Sequence, residues 1–491
     1  MTALPANIYS VESVREFDRA AIEDHGIPGY TLMTRAGSAA VRAIVQQFPN
    51  ARRWLVLCGA GNNAGDGYVV ARLASDQGIA VKVVSLVDPS KLRGDAATAF
   101  ADFQSHGGVA ASWDGALDDK SDLIVDAILG SGLERDVDGE FASAVAAINR
   151  HAASVVALDI PTGIHGDTGN VLGTAVSADL TITFVGLKSG LFLGAAPNYC
   201  GAVLYDGLQI PDVARQEKPA FRRADSALLR RLLPRRQRTA HKGDFGHVLV
   251  VGGGEGMPGA ARLCGEAALR AGAGRVSLAT DPSHAALIAA TRPELMSHPV
   301  SDAGDLEPLL AKADVIAFGP GLGQSEWARG LYTKLAADER PAVWDADALN
   351  LLAAAPAHAG RRIVTPHPGE AATLLDKSAA AVQQDRTAAV AALAEKYGGV
   401  AVLKGARTLI TPDGDDYWLC TAGNPGMAAP GMGDVLTGII AGLLAQQLSL
   451  LDAAVAGVEV HARAGDWAAL QGERGLLATD LMAELRGVIN P

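Results

Sequence analysis

Cysteine is scarce and never clustered: the 491 residues hold four, Cys58, Cys200, Cys264 and Cys420, with no CxxC and no histidine-spaced ligand set. This excludes a disulfide scaffold and predicts a reduced protein with buried thiols. Aromatic residues are few, at 5%. Basic residues are outnumbered, 42 Lys and Arg against 54 Asp and Glu, for a net charge of −12. An acidic surface argues against nucleic-acid and membrane-surface partners, while local sites remain free to take anionic substrates. No run approaches the roughly 18 uninterrupted apolar residues of a membrane span. The start, MTALPANIYSVESVREFDRA, lacks a basic-then-apolar signal peptide. A cytoplasmic protein is expected.

What is abundant points to globular α/β structure. Apolar residues make up 49%, and there are 56 glycines. The length exceeds one ordinary core of roughly 100–200 residues, so two large domains are expected. Short continuous apolar runs predict buried parallel strands at Trp54–Cys58, Ala80–Leu86, Leu123–Ala127, Ser154–Asp159 and Leu180–Phe184, with helices between them such as Gly67–Gln77. Two helices precede this series, between Val11 and Phe48. A second series begins at His247–Val251 and runs through Arg275–Ala279, Val315–Phe318, Ala342–Asp345, Arg362–Val364 and Val400–Lys404. Between them the pattern lapses into charged, proline-containing sequence, including a basic run from Arg230 to Lys242 that reads as solvated linker. The expected organisation is a Rossmann-like doubly wound domain over 1–215, a linker over 216–240 and a second α/β domain over 241–491. No motif repeats between the halves, so they are different modules.

In the first half, CGAGNNAGDG (Cys58–Gly67) follows a strand and opens a helix. Such a turn lets backbone approach a ligand and presents free amides to phosphate. A tight turn alone needs no ligand, but paired asparagines and Asp66 at a strand tip are costly without something to coordinate. Asp126 ends LIVDA and Asp159 ends VVALD, each followed by a small-residue loop. A lone aspartate there is often a cap. Several at the carboxyl ends of one parallel sheet converge on one crevice. Lys188, in TFVGLKSG, could neutralise phosphate, pair with Asp159, or be an ordinary surface lysine.

The stretches AAIEDHGIPGYTLMTRAG, CGAGNNAGDG, DAILGSGLERDVDGE, LDIPTG and FVGLKSGL resemble the NAD(P)HX epimerase (YjeF amino-terminal) family in order and spacing. The resemblance implies that Asn62, Asn63, Ala64, Gly65 and Asp66, with Gly130, Ser131, Gly132, Leu133, Glu134, Arg135 and Asp136, hold the hydrated dinucleotide, together with Asp159 and Lys188. It further implies potassium on Asn63, Asp126 and Thr162, and Asp159 as acid/base.

In the second half, HKGDFG precedes the strand HVLVV and Gly252–Gly254, and FGPGLG and VWDADALN form later strand-end loops. TPHPGE holds His367 between two prolines, which favours a ligand contact over a rigid turn. GNPGMAAPGMGDVLTG (Gly423–Gly438) is the most telling segment: a glycine-rich loop opening a helix with Asp434 in its first turn. Loop and helix amides there form an anion hole for a phosphoryl group, and a carboxylate beside it can deprotonate a hydroxyl nucleophile. Asp434 could otherwise be a mere helix-favouring acid.

This half resembles the ADP- or ATP-dependent NAD(P)HX dehydratase family, a branch of ribokinase-like folds, through HKGDFGHVLVVGG, SLAT, GPGLG, DADALN, TPHPGE, VLKG and GMGDVLTG. The resemblance implies substrate contacts at Ala261 (or its neighbour Ala260), Gly321, His367 and Asp434. It places adenine nucleotide at Lys404, Gly405, Ala406, Arg407, Thr408 and Gly433, with ADP and Mg2+ expected and ATP as the alternative nucleotide. Pro430 stands where the family usually has glycine, and it lacks an N–H for the anion hole. The activity implied is epimerisation of R and S hydrates of NADH and NADPH, then nucleotide-driven dehydration of the S form by a homo-oligomer. Two rivals remain on sequence alone: a kinase that releases a stable phosphate ester of a small alcohol, and an amino-terminal half serving only as a binding module.

Overall fold

Apolar runs become parallel strands because a strand covered on both faces by helices needs no polar alternation. In the computed structural model, which describes residues 4–117 and 120–491, seven such strands form the first sheet. Their order is Ala110–Ser112, Ala80–Ser85, Arg53–Cys58, Leu123–Ala127, Ser154–Leu158, Leu180–Phe184 and Ala202–Asp206, and every pairing is parallel. The chain winds outward in opposite directions from Arg53–Cys58 and Leu123–Ala127, so a topological switch point lies between Cys58 and Ala127. Crevices that bind ligands form beyond the strand ends at such points. One face packs on helices Gly29–Gln47, Asn62–Asp76 and Gly94–Ser105, the other on Gly139–Arg150.

The helix expected from Gly67 starts five residues earlier, at Asn62. Asn62–Asp66 is therefore its first turn rather than a loop. Gly67 allows this, since a Cβ there would lie 2.6 Å from Ala127 Cβ and 2.9 Å from Cys58 Sγ. With hydrogen alone the helix settles against the two strands that flank the switch point. A short strand, Asn7–Tyr9, paired in parallel with Leu187–Lys188, was not expected from the sequence.

The first unit ends at Phe221 and the second begins at Arg222. Within the span expected as linker, Ser226–Leu232 is a helix capped by Asp225, whose Oδ1 accepts from Leu228 N at 2.7 Å, and Leu229 is wholly buried in the carboxy-terminal core. The second sheet has parallel neighbours in the order Met296–Pro299, Arg275–Thr280, His247–Val251, Val315–Phe318, Ala342–Trp344, Arg362–Val364 and Val400–Leu403, then antiparallel Leu409–Thr411 and Trp418–Leu419. Its switch point separates His247–Val251 from Val315–Phe318, where Gly254 N donates to Gly321 O at 2.7 Å.

Helices Pro258–Arg270 and Met432–Ala445 cross closely on one face of this sheet. A Cβ on Gly438 would stand 2.0 Å from Cys264 O, so only glycine permits the approach. That contact carries the amino end of Met432–Ala445 to the strand tips. All four cysteines are buried, and no helix among the described residues is long and apolar enough to cross a membrane.

Candidate active sites

A cavity of about 820 Å³ opens at the switch point of the first sheet. Asn62, Asn63 and Asp66 line it from the helix start, Gly130–Arg135 from the loop after Leu123–Ala127, and Asp159 and Lys188 from later strand ends. Helix Val11–Arg19 closes another wall with Val11, Val14, Arg15 and Asp18. Ala64 and Gly65 are buried behind the turn, and Asp136 is exposed, outside the lining.

Asp159 sits at φ +67°, a left-handed conformation that only short polar side chains adopt readily. The turn directs its carboxylate to Lys188, whose Nζ donates to Asp159 Oδ1, to Thr183 Oγ1 at 3.1 Å and to Phe184 O at 3.0 Å. Lys188 is 2% exposed, so it is no surface lysine. Ser131 N donates to Asp159 Oδ2 at 3.2 Å, tying the Gly130 loop to the same carboxylate. Burial alone would raise the Asp159 pKa, but the Lys188 charge overrides it and holds the group below the usual carboxylate range. Burial lifts Asp66 well above that range, with the charges of Asp159 and Asp18 adding to the effect.

Beneath the cavity, Asp126 and Thr162 are fully buried. Thr162 donates from N to Asp126 Oδ2 at 2.8 Å and from Oγ1 to Asp126 Oδ1 at 2.7 Å, while Leu129 N donates to Thr162 Oγ1 at 2.9 Å. Burial pushes Asp126 up to about 6 despite these bonds. Asn63 is 7% exposed, yet neither side-chain polar atom has a hydrogen-bond partner among the described residues. A buried amide left unpaired costs about 1–3 kcal/mol, so an orphan beside a cavity marks a ligand position.

In the second unit, Asp345 follows Ala342–Trp344 and is 1% exposed. Its Oδ1 lies 2.5 Å from Lys404 Nζ, and its Oδ2 accepts from Thr437 Oγ1 at 2.9 Å. Glu370 Oε2 is 3.7 Å from the same ammonium. Neither Asp345 nor Glu370 was singled out from the sequence, although DADALN and TPHPGE contain them. Gly433 abuts this ion pair: a Cβ there would be 3.3 Å from both Asp345 Oδ2 and Lys404 Nζ. Gly431, at φ +87°, turns the chain into helix Met432–Ala445 and leaves its first amides free of intrahelical partners. Burial pushes Asp434 up to about 7, reinforced by the Asp345 charge and opposed by Lys404.

The remaining expected residues fall at varied depths. Ala261 is wholly buried in the core, whereas Ala260 is half-buried beside Gly321, so the exposed member of that pair is Ala260. His367 caps helix Pro368–Leu375: Nδ1 accepts from Gly369 N at 3.0 Å, and Glu370 Oε2 accepts from His367 N at 2.7 Å. The ring is nonetheless exposed. Gly405 and Ala406 are exposed at the tip of a loop that Arg386 braces from behind through the carbonyls of Leu403, Lys404 and Arg407. Thr408 Oγ1 donates to Gly405 O at 3.2 Å, and the Arg407 guanidinium donates to Thr421 O.

Comparison with known proteins agrees with this two-site architecture. The family described as NAD(P)H-hydrate dehydratase matches residues 248–486, and that of the YjeF-related protein N-terminus matches 29–190. A bifunctional NAD(P)H-hydrate repair enzyme of Coxiella burnetii is 48% identical over 493 residues, covering 99% of each chain. Its namesake from Escherichia coli is 43% identical, covering all of this chain and 95% of the relative. Among solved structures, a ribokinase-like superfamily protein from Enterococcus faecalis is 28% identical with a TM-score of 0.51, covering 56% of this chain and 100% of that one. With both units matched along their whole length, the chain belongs to the family of bifunctional NAD(P)H-hydrate repair enzymes.

Proposed function

We propose that the amino-terminal unit interconverts the R and S hydrates of NADH and NADPH, and that the carboxy-terminal unit dehydrates the S form at the expense of ADP. The observation that carries this reading is the similarity to bifunctional repair enzymes across both units, each with its own cluster of buried charge at strand ends.

In the first cavity the hydrated ring carries a hydroxyl at C6 beside the ring nitrogen, a hemiaminal centre. Asp159, kept ionised by Lys188, accepts the hydroxyl proton as the centre opens and returns it as the centre recloses on the other face. The turn Asn62–Asp66 and the loop Gly130–Arg135 would grip the dinucleotide. Asn63, Asp126 and Thr162 form an all-oxygen donor set with one orphaned amide, which fits a hard cation such as potassium. Bound there, potassium would supply fixed positive charge behind the strand ends.

In the second unit Asp434 takes the proton from the C6 hydroxyl, whose oxygen attacks the terminal phosphoryl group of ADP as the bond to the departing AMP breaks. The first amides of Met432–Ala445 stabilise the charge on that group, and Lys404 adds a positive charge nearby. Phosphate then leaves C6 with the bonding electron pair and a proton leaves C5 to water, which restores the C5–C6 double bond. A base near pH 7 suits this step, being ionised often enough to act while remaining strong enough to accept the proton. No cluster of three or more His, Cys, Asp or Glu side chains suited to a metal occurs among the described residues. Mg2+ would therefore be held mainly by nucleotide phosphates with one or two carboxylates.

One assay tests the whole reading. Purified protein is given a mixture of R and S hydrates, and the absorbance of reformed NADH is followed with ADP, with ATP and with neither. Complete recovery of both epimers with ADP is expected. Consumption of only half the mixture would remove the epimerase, and accumulation of a stable phosphate ester would favour a kinase.

A further inference from the structure

We infer that Asp18 is a second acid/base of the epimerase cavity, serving the reaction from a different wall than Asp159. The inference rests on reading the amino-terminal unit as the epimerase. Asp18 lies on helix Val11–Arg19, whose Val11, Val14 and Phe17 are buried, and it lines the cavity beside Val14 and Arg15. Two other charges on this helix are engaged at the surface, where Arg19 pairs with Glu16 as well as with Glu23 and Asp24. Asp18 is the one carboxylate of this helix that lines the cavity, and no hydrogen bond or ion pair engages it among the described residues. A carboxyl partly withdrawn from water without a structural partner has no evident role in holding the fold.

The charged groups facing it are Asp159 and Lys188 from the strand ends, Asp66 from helix Asn62–Asp76 and Arg15 from its own helix. Burial pushes Asp18 up to about 6; Lys188 opposes the rise and Asp159 adds to it. Asp159, in contact with Lys188, is driven the other way. Two carboxyls whose surroundings separate their pKa values provide an acid and a base in one site.

A ring-opening epimerisation balances its protons through that pair. Asp159 removes the C6 hydroxyl proton as C6 becomes an aldehyde carbon. The C6–N1 bond breaks with its electron pair passing to N1, and N1 takes the proton of Asp18. Rotation about C5–C6 presents the other face. N1 then attacks C6 and returns its proton to Asp18, while the aldehyde oxygen recovers the proton held by Asp159. Substrate and enzyme end with the atoms and charges they began with, and no co-reactant is consumed.

The test uses the full chain carrying Asp18→Asn, with pure R or S hydrate and chromatographic separation of the epimers. Epimerisation kcat should fall about 10²–10⁴-fold with little change in KM, the usual effect of losing a general acid. In the parent, kcat should decline as pH rises through about 6 and Asp18 ionises, and the variant should lack that limb. ADP-driven dehydration of pure S hydrate should be unchanged, which reports an intact chain. Parent-like kcat, or a rise in KM alone, overturns the assignment. Asp18→Glu covers the case of a poorly folded asparagine variant: its carboxyl should restore part of the rate, and no recovery counts against the inference. A parent enzyme that does not interconvert the hydrates would instead remove the epimerase reading itself.

Discussion

Lys404 and Asp345 form an ion pair whose carboxylate is buried, with Nζ 2.5 Å from Oδ1, and Thr437 donates to the other carboxylate oxygen at 2.9 Å. The three residues come from two strand ends and the helix that begins beside Asp434, so this contact fixes the ammonium against the anion-hole turn. Burial would keep Asp345 neutral, but the Lys404 charge lowers its pKa and holds it ionised. The negative charge of Asp345 is in turn one of the forces that raise Asp434.

Asp345→Ala should leave Lys404 without its closest partner. Breaking a buried pair by removing one member costs about 3–5 kcal/mol. Denaturant unfolding of the carboxy-terminal unit measures this, with Trp344 beside the substitution as a fluorescence probe. A loss below about 1 kcal/mol, the worth of a surface pair, contradicts the burial argument.

Asp434→Asn should lower dehydration about 10²–10⁴-fold and leave epimerisation intact. Asp434 acts as a base only when ionised, so kcat/KM for dehydration in the parent should rise with pH through about 7. The sign for stability is opposite. A carboxyl whose folded pKa is raised stabilises the fold when protonated, and that contribution is lost as pH rises through about 7. The asparagine variant should therefore gain Tm relative to the parent in alkaline buffer. Near-normal NADH recovery by a folded variant removes Asp434 from the chemistry.

Asp159→Asn should strand the R hydrate while S hydrate is repaired normally with ADP. Asparagine is a better probe than alanine, because it tolerates the φ of +67° at this position. Early rates followed by separating the epimers are needed, since the hydrates also interconvert spontaneously. Disappearance of the R form at the parent rate would show that Asp159 serves only the turn.

Potassium should accelerate epimerisation where sodium does not, and Asp126→Ala should abolish that dependence. Titrating one cation against a constant background of the other measures it. Indifference to the cation, with a harmless Asp126→Ala, leaves the Asn63 amide to the dinucleotide.

Gly438→Ala should destabilise the second unit and leave epimerisation by the first unit unchanged. The added methyl would sit 2.0 Å from Cys264 O, and overpacking of this kind costs about 1–3 kcal/mol. A Tm equal to that of the parent would mean that the two helices move apart freely.

Much of this architecture is legible in the chain. Continuous apolar runs such as WLVLC and HVLVV can be buried on both faces only in a helix-covered parallel sheet, and Asp126 and Asp159 stand at their ends by sequence position alone. The early start of helix Asn62–Asp76 is not legible, because Asn and Gly are poor helix formers; packing of Ala64 and Gly67 onto the sheet outweighs their propensity. Asp345 and Lys404 are separated by 59 residues, and only neighbouring strand ends bring them together. Asp18 hides in REFDRA, where it reads as one more surface charge. The residue types thus determined by themselves which chemical groups exist and on which strands and helices they ride. Which carboxyl is ionised was decided by the tertiary structure alone. Asp159 and Asp18 are the same side chain, driven in opposite directions by contact with Lys188 and by exclusion of water, and neither influence exists until the cavity has formed.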